Sequence, residues 1–245
     1  MEPSEYSRMY ELEDSYWWFV GLRCLILSQV KRLHSSQNVL QVLDAGCGTG
    51  ANLRALLAYA NAYGVDRSSL ALEFCKKRSL SNIAQASVSQ LPFPDGEFNL
   101  VVSTDVLYHR NVEDDQKALE QFFRVLKPKG KLILHLPAYE FLRGNHDAAI
   151  HTKRRYSRQQ LESKLRSAGF QVERISYRNA FLFPVVWLHR VLIPGVASIG
   201  TKSDLRELPL FINKLLTIVL AAENKLLNWT NLPFGSSLFC LASKS

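Results

Sequence analysis

The sequence predicts an α/β protein built on a doubly wound parallel sheet, and three observations carry that prediction. Short apolar runs alternate with helical patterns, the order that a parallel sheet with crossover helices requires. The run Val42-Leu43-Asp44 leads through Ala45-Gly46-Cys47-Gly48-Thr49-Gly50 into a helical pattern, so a buried strand passes through a glycine-rich turn into a helix. Twenty-two residues beyond Asp44, a second apolar run ends at another carboxylate, Asp66.

The elements follow in order. Val39 to Asp44 reads as the first strand, and Ala51 to Tyr59 as the helix after the glycine turn. Ala62 to Val65 is the second strand, Ser69 to Lys77 the next helix, and Ile83 to Ala86 a short third strand. Leu100 to Ser103 is the fourth strand. Asp114 to Val125 follows as a helix closed by Pro128-Lys129-Gly130, before a fifth strand from Lys131 to Leu136. A helix from Ser157 to Ala168 ends at Gly169, a C-cap glycine, ahead of a sixth strand from Gln171 to Tyr177. No internal repeat is present. At 245 residues with 47% hydrophobic content, the chain suits one domain with a sizeable core.

The glycine spacing is G-x-G-x-G at Gly46, Gly48 and Gly50, where a dinucleotide site would have G-x-G-x-x-G. Glycines let a ligand approach the backbone, and the following helix points free N–H groups at the site. Asp44, just before the turn, would repel a pyrophosphate but suits an ammonium group, reached directly or through water. Asp66 is placed to accept both hydroxyls of a ribose.

Three separated segments extend this pattern: Val42 to Gly50; Leu91-Pro92-Phe93-Pro94-Asp95-Gly96-Glu97-Phe98-Asn99-Leu100-Val101-Val102; and Asp105-Val106-Leu107-Tyr108-His109 followed by Leu126-Lys127-Pro128-Lys129-Gly130-Lys131-Leu132. In order and spacing, over about residues 38 to 178, the chain resembles a class I S-adenosylmethionine-dependent methyltransferase of the type 11 small-molecule branch. The resemblance implies a Rossmann-like doubly wound sheet of seven strands, with Ser237 to Ser243 inserted antiparallel between strands five and six. It also implies S-adenosylmethionine as cofactor, leaving as S-adenosylhomocysteine. The residues implied to hold it are Asp44, Gly46, Gly48, Gly50, Asp66, Arg67, Ser87, Val88, Asp105 and Val106. Ser87 is a departure, because the family commonly has an acidic residue there to bond the adenine amino group. A serine hydroxyl accepts a weaker hydrogen bond, which shifts adenine recognition toward the Val88 backbone and apolar walls.

Around this core (38–179) lie the parts that such folds vary. The N-terminal segment (1–37) contains Tyr16-Trp17-Trp18-Phe19 and Arg23. Similar relatives suggest a helical lid, with Tyr16 or Trp17 over the sulfonium and Arg23 reaching the cofactor's carboxylate. The alternative is that both tryptophans only pin a helix to the core. Residues 180–234 form an apolar insertion before the final strand (235–245). Pro184, His189, Arg190 and Pro194 interrupt its first stretch, and Lys214, Glu223 and Lys225 its second, so neither suits a bilayer span. They read as a helical cap over the open edge of the sheet and imply a large apolar acceptor. Helices resting on a membrane surface, or forming a homodimer face, would fit the same apolar excess.

Candidate general bases are His109 after strand four, and His146, Asp147 and His151 after strand five; a base is needed only for acceptors that must lose a proton. Asp105 reads as an anchor for the end of strand four. The alternative for the His146 cluster is a loop tied by its own hydrogen bonds. Four scattered cysteines at no metal-binding spacing predict reduced thiols and no metal. The acidic start, Met1-Glu2-Pro3-Ser4-Glu5, lacks the features of a secretory signal and predicts a cytoplasmic protein.

The net charge of +8 invites a nucleic-acid partner, with its densest run at Lys153-Arg154-Arg155-Tyr156-Ser157-Arg158. No RNA-binding module or basic aromatic stripe accompanies it, and Asp105-Val106-Leu107-Tyr108 departs from the Asp/Asn-Pro-Pro-Tyr/Phe element of base-amino methyltransferases. The expectation is therefore methyl transfer to oxygen, nitrogen or carbon of a hydrophobic small molecule, in specialised or lipid-quinone metabolism. The alternatives are RNA or protein methylation, and a cofactor-binding scaffold without turnover.

Overall fold

A computed structural model describes residues 1–34, 39–192 and 207–245. Two helices open the chain, Pro3–Leu12 (α1) and Trp17–His34 (α2). The sheet begins with Gln41–Ala45 (β1), whose apolar residues are fully buried, as a central strand covered on both faces requires. The alternating core continues through Ala51–Leu56 (α3), Asn61–Asp66 (β2), Ser69–Lys77 (α4), Ile83–Gln85 (β3), Phe98–Thr104 (β4), Asp115–Val125 (α5) and Leu126–Pro137 (β5). Local chemistry sets the helix starts. Ser68 caps α4 by accepting the Ala71 N–H, and Asp114 caps α5 by accepting those of Gln116 and Lys117.

After β5 come a single 3-10 turn, the short helix Asn145–Ala149 (α6), Arg158–Ser167 (α7) and Phe170–Arg178 (β6). Ser157 and Gln160 form a reciprocal capping box at the start of α7. Phe183–Leu192 (α8) and Leu210–Leu227 (α9) precede Ser237–Lys244 (β7). Pro184 sits in the first turn of α8, where its missing N–H costs nothing. Residues 193–206 of the expected insertion lie outside the described residues.

The seven strands run in the order β3-β2-β1-β4-β5-β7-β6. β1 through β5 pair in parallel, while β7 is antiparallel to both β5 and β6. The seven-stranded sheet with its inserted antiparallel strand is thus as the resemblance implied. β1 lies between β2 and β4, so the crossovers reverse direction there and a crevice opens at its C-terminal end, where ligands bind in such sheets.

Several element ends differ from the sequence reading by one to three residues, and one boundary differs by more. β5 begins at Leu126 and not at Lys131, because Leu126 already pairs with Phe98 before the register jumps to Leu100 opposite Lys131. The residues between, with Lys129 at φ +63°, bulge out of the ladder. Arg124 fixes the adjoining Leu91–Gly96 turn, donating to the carbonyls of Phe93 (2.8 Å) and Leu91 (3.0 Å) and pairing with Asp95 (2.7 Å). Phe93 stands edge-on to Phe98 at 4.9 Å, which anchors the turn to the sheet.

Candidate active site

Beyond Ala45 the chain turns through Gly46, Gly48 and Gly50, with φ of +89°, +54° and +91°. The N–H groups of Gly46 and Cys47 both donate to the Val65 carbonyl, at 2.8 and 2.9 Å. Gly48 N–H donates to Asp66 Oδ2 at 3.0 Å, and Ser68 N–H to Oδ1 at 2.9 Å. The turn is therefore locked to the end of β2. A Cβ at Gly46 would lie 2.2 Å from Val106 Cγ2, so glycine is needed there for backbone and for space. At Gly50 the neighbours are Leu80 and Cys75, so this glycine serves helix packing and faces away from the cavity that its two partners line.

That cavity has a volume of about 740 Å³ and opens at the C-terminal ends of β1, β2 and β4, a size suited to a nucleoside-containing ligand. Tyr16, Trp17, Arg23, Gly46, Gly48, Asp66, Arg67, Ser87, Val88, Asp105, Val106 and His109 all line it. Asp44 does not reach the cavity wall and His151 does not line it; the side chain of His146 lies outside the described residues.

The cavity's closed end is rich in carboxylates. Asp44 is 1% exposed, neither oxygen has a hydrogen-bond partner among the described residues, and burial, helped by the charges of Asp66 and Glu13, pushes its carboxyl up to about 7. Burial also raises Asp66, against the backbone N–H groups it accepts, and raises Glu13. Glu13 accepts the Thr49 hydroxyl and pairs with Arg78 at 2.8 Å. Arg78 in turn donates to the Thr49 carbonyl at 3.0 Å and stacks on Tyr10. Three buried or half-buried carboxylates beside the glycine turn suit a cationic ligand carrying hydroxyls. S-adenosylmethionine, with its ammonium, sulfonium and ribose, fits this donor set. Arg23, which donates to the Glu13 carbonyl at 2.9 Å, also lines the cavity, a cation close to these carboxylates.

Farther along the cavity, Asp105 adopts φ +58°, and its carboxylate meets Nδ1 of the buried His135 at 3.1 Å. His109 lies 2.8 Å from the Met1 amino group, and burial first, then that group's charge, lowers its pKa to about 4. His151 contacts the same amino group and, at 2.6 Å, Glu2. Arg155 grips Asp147 through two hydrogen bonds of 2.9 and 3.0 Å, and Asp147 also accepts the Gly144 N–H, so this loop is indeed tied by its own side chains. Arg155, Thr152 and Leu142 line the cavity from this side.

The sequence reading missed α1 as a wall. Tyr6, Met9 and Glu13 line the cavity, and a Cβ at Gly48 would come 3.0 Å from Met9 Cε. Their spacing of three and four residues was the available signal. Asp147 and Arg155 were named only as part of a loop cluster; their pairing depends on contacts that spacing does not reveal.

Comparisons with known proteins bear on this geometry. The type 11 Methyltransferase domain family matches residues 43–134, the stretch from β1 through β5. A trans-aconitate 2-methyltransferase of Deinococcus radiodurans is 25% identical over 223 residues, covering 89% of this chain and 78% of its own. A ubiquinone/menaquinone biosynthesis C-methyltransferase of Pasteurella multocida is 49% identical over 53 residues, covering 22% of this chain and 19% of its own. Apart from the Deinococcus protein, the first curated relatives are matched over 19% to 52% of their length. Among solved structures, a SAM-dependent methyltransferase of Thermotoga maritima shares the fold, with a TM-score of 0.58 at 18% identity over 99% of this chain and 96% of that one.

Proposed function

We propose that this chain, which belongs to the class I S-adenosylmethionine-dependent methyltransferases of type 11, transfers a methyl group to oxygen, nitrogen or carbon of a hydrophobic small molecule. The observation that carries the donor half is the glycine turn locked to Asp66 with the unpartnered Asp44 carboxylate behind it. In this reading Asp66 accepts the ribose hydroxyls, Asp44 and Glu13 provide the negative field for the ammonium, and Arg23 holds the carboxylate. Ser87 and Val88 border the adenine, with Arg67, Asp105 and Val106 completing the wall. Tyr16 and Trp17 offer aromatic faces to the sulfonium.

S-adenosylmethionine supplies a methyl that an acceptor atom displaces in line, so the chain's main task is to hold the two in alignment and to exclude water. The acceptor half rests on the apolar lining of the cavity, to which Trp18, Phe19, Leu22, Leu142 and Ile150 contribute. A bulky apolar acceptor suits such a wall, as a quinone precursor would, and the local likeness to a quinone C-methyltransferase supports this class. Where the acceptor must lose a proton, Asp105, held by His135, and His109, whose lowered pKa makes it a weak base, are the candidates that line the cavity. A cytoplasmic enzyme of specialised metabolism, needing no metal, fits this reading.

The test is to incubate the protein and methyl-labelled S-adenosylmethionine with extract of its source cells and count label by fraction. Label in the organic-soluble fraction is expected. Label confined to RNA or protein would refute the small-molecule acceptor, and S-adenosylhomocysteine binding without any turnover would reduce the protein to a scaffold.

A further inference from the structure

α9 is apolar on two opposite sides. Leu220, Glu223, Asn224 and Leu227 are buried, with Leu220 packed on Gly21 of α2 and the Asn224 side-chain amide donating to the Gly21 carbonyl at 2.8 Å. On the other side, Phe211, Leu215 and Ile218 are 71%, 58% and 65% exposed, one stripe at four- and three-residue spacing. Trp229, just past the helix, continues this stripe and is 90% exposed, and Val185 and Trp187 of α8 are exposed as well. A helix that exposes an apolar stripe opposite its buried side suits a second apolar neighbour.

We propose that this stripe rests on an anionic lipid surface, with α9 lying parallel to the membrane and delivering a lipid-dissolved acceptor to the cavity. Charge selects this occupant. Lys214 and Lys225 are exposed and flank the stripe, while the one carboxylate of α9, Glu223, is fully buried and accepts the N–H groups of Asn179 and Phe181. In a two-fold contact between copies, the same side meets itself, setting these lysines against each other with no carboxylate of the helix to pair with. Anionic headgroups neutralise lysines at the edge of an apolar stripe, and exposed tryptophans favour the headgroup boundary. Among the described residues, no helix is long and apolar enough to cross a membrane, so the contact is peripheral.

α9 is also fastened beside the site. Asn213, in the first turn of α9, accepts the Trp17 N–H at 2.9 Å and donates to the Ser15 carbonyl at 2.8 Å. Phe211 therefore lies two residues from an anchor fastened to the cavity wall. The delivery role rests on the apolar-acceptor reading above; the docking itself does not.

The test is co-sedimentation of the full chain with phosphatidylcholine vesicles containing about a third phosphatidylglycerol, enough to give a negative surface potential. The protein is expected to sediment with these vesicles, less with pure phosphatidylcholine, and less in high salt. The double variant Phe211→Ser/Leu215→Ser, changed at exposed positions, should lose about tenfold in vesicle affinity through lost apolar burial, with unchanged unfolding temperature and S-adenosylhomocysteine binding. Three results would each overturn the proposal: a full chain that stays in solution, a double variant that sediments like the parent, or a parent dimer that the double variant converts to monomer. No methyl donor is present, so failure to dock leaves the methyl-transfer reading standing.

Discussion

The guanidinium of Arg178 lies 5.2 Å over the ring of Trp18, fully buried, and none of its three nitrogens has a hydrogen-bond partner among the described residues. Burial lowers its pKa to about 10, opposed by the charges of Glu223 and Asp105, so it remains a cation at neutral pH. Glu223 offsets that charge from a distance, since its oxygens accept the N–H groups of Asn179 and Phe181. Arg178→Met keeps the volume and removes the buried charge; it is expected to leave stability unchanged or raise it by about 1–3 kcal/mol. Glu223→Ala leaves both N–H groups without their acceptor and Arg178 with Asp105 as its remaining offsetting charge, and should cost about 3–5 kcal/mol. Denaturant unfolding checks the pair, and a large loss with Arg178→Met would mean that the guanidinium is satisfied in solution.

Asp44 makes stability depend on pH in an unusual sense. Its folded pKa, raised to about 7, lies above the ordinary carboxylate value of 3.8. Below the lower value both states are protonated and the group contributes nothing. Between the two values only the unfolded chain releases the proton, so stability falls as pH rises, by on the order of 3–4 kcal/mol across the window. Asp44→Asn should therefore match the parent near pH 4 and exceed it at pH 8. The opposite slope from His109, whose pKa is lowered to about 4, is shared by both proteins and cancels in the comparison. S-adenosylhomocysteine affinity should rise from pH 6 to pH 8 in the parent, as an ionised Asp44 attracts the ammonium, and stay flatter in the variant. Parallel unfolding and binding curves for the two proteins would remove Asp44 from the site.

Gly46 and Gly96 separate backbone strain from crowding. Both have positive φ, +89° and +66°, but a Cβ meets Val106 at 2.2 Å in the first and nothing within 4 Å in the second. Gly96→Ala should cost about 1–2 kcal/mol for the left-handed backbone alone. Gly46→Ala should cost more than 3 kcal/mol and abolish cofactor binding, because the turn must move. Equal costs in thermal unfolding would show that Val106 yields.

Asp66 has two tasks, so its variants should split. Asp66→Asn keeps an acceptor for one backbone N–H but loses the charge, whereas Asp66→Ala releases both Gly48 and Ser68. Weakening of S-adenosylhomocysteine binding by about 1.5–3 kcal/mol is expected for Ala, with a smaller loss for Asn. Titration calorimetry measures both, and unchanged affinity in the Ala variant would discredit the assignment of this cavity.

The strand-turn-helix at Gly46 was legible because backbone geometry demands glycine there whatever surrounds it. Gly50 looked the same in one dimension, yet it faces Leu80 and Cys75, and nothing local distinguishes a glycine beside a ligand from one beside a helix. The antiparallel placement of Ser237–Lys244 came only with the family resemblance, since pairing with β5 and β6 is a long-range relation that the strand's own residues do not encode. α1 went unread as a wall because Pro3, Ser4 and Glu5 masked the helical spacing of Tyr6, Met9 and Glu13. Asp44 was visible as a carboxylate, but its depth behind the wall depends on layers assembled from five strands.

The attachment of α1 through Glu13 bears on how fast a bound molecule exchanges. Met9 and Tyr6 form one wall of the cavity, and the helix carrying them is fastened by the Glu13 contacts to Thr49 and Arg78 and by Tyr10 against Phe74 at 4.8 Å. A ligand lodged between this helix and the glycine turn departs only as often as the helix lifts. Residence time is then governed by an ion pair at the C-terminal end of α1, and product inhibition becomes a property of the chain's first helix.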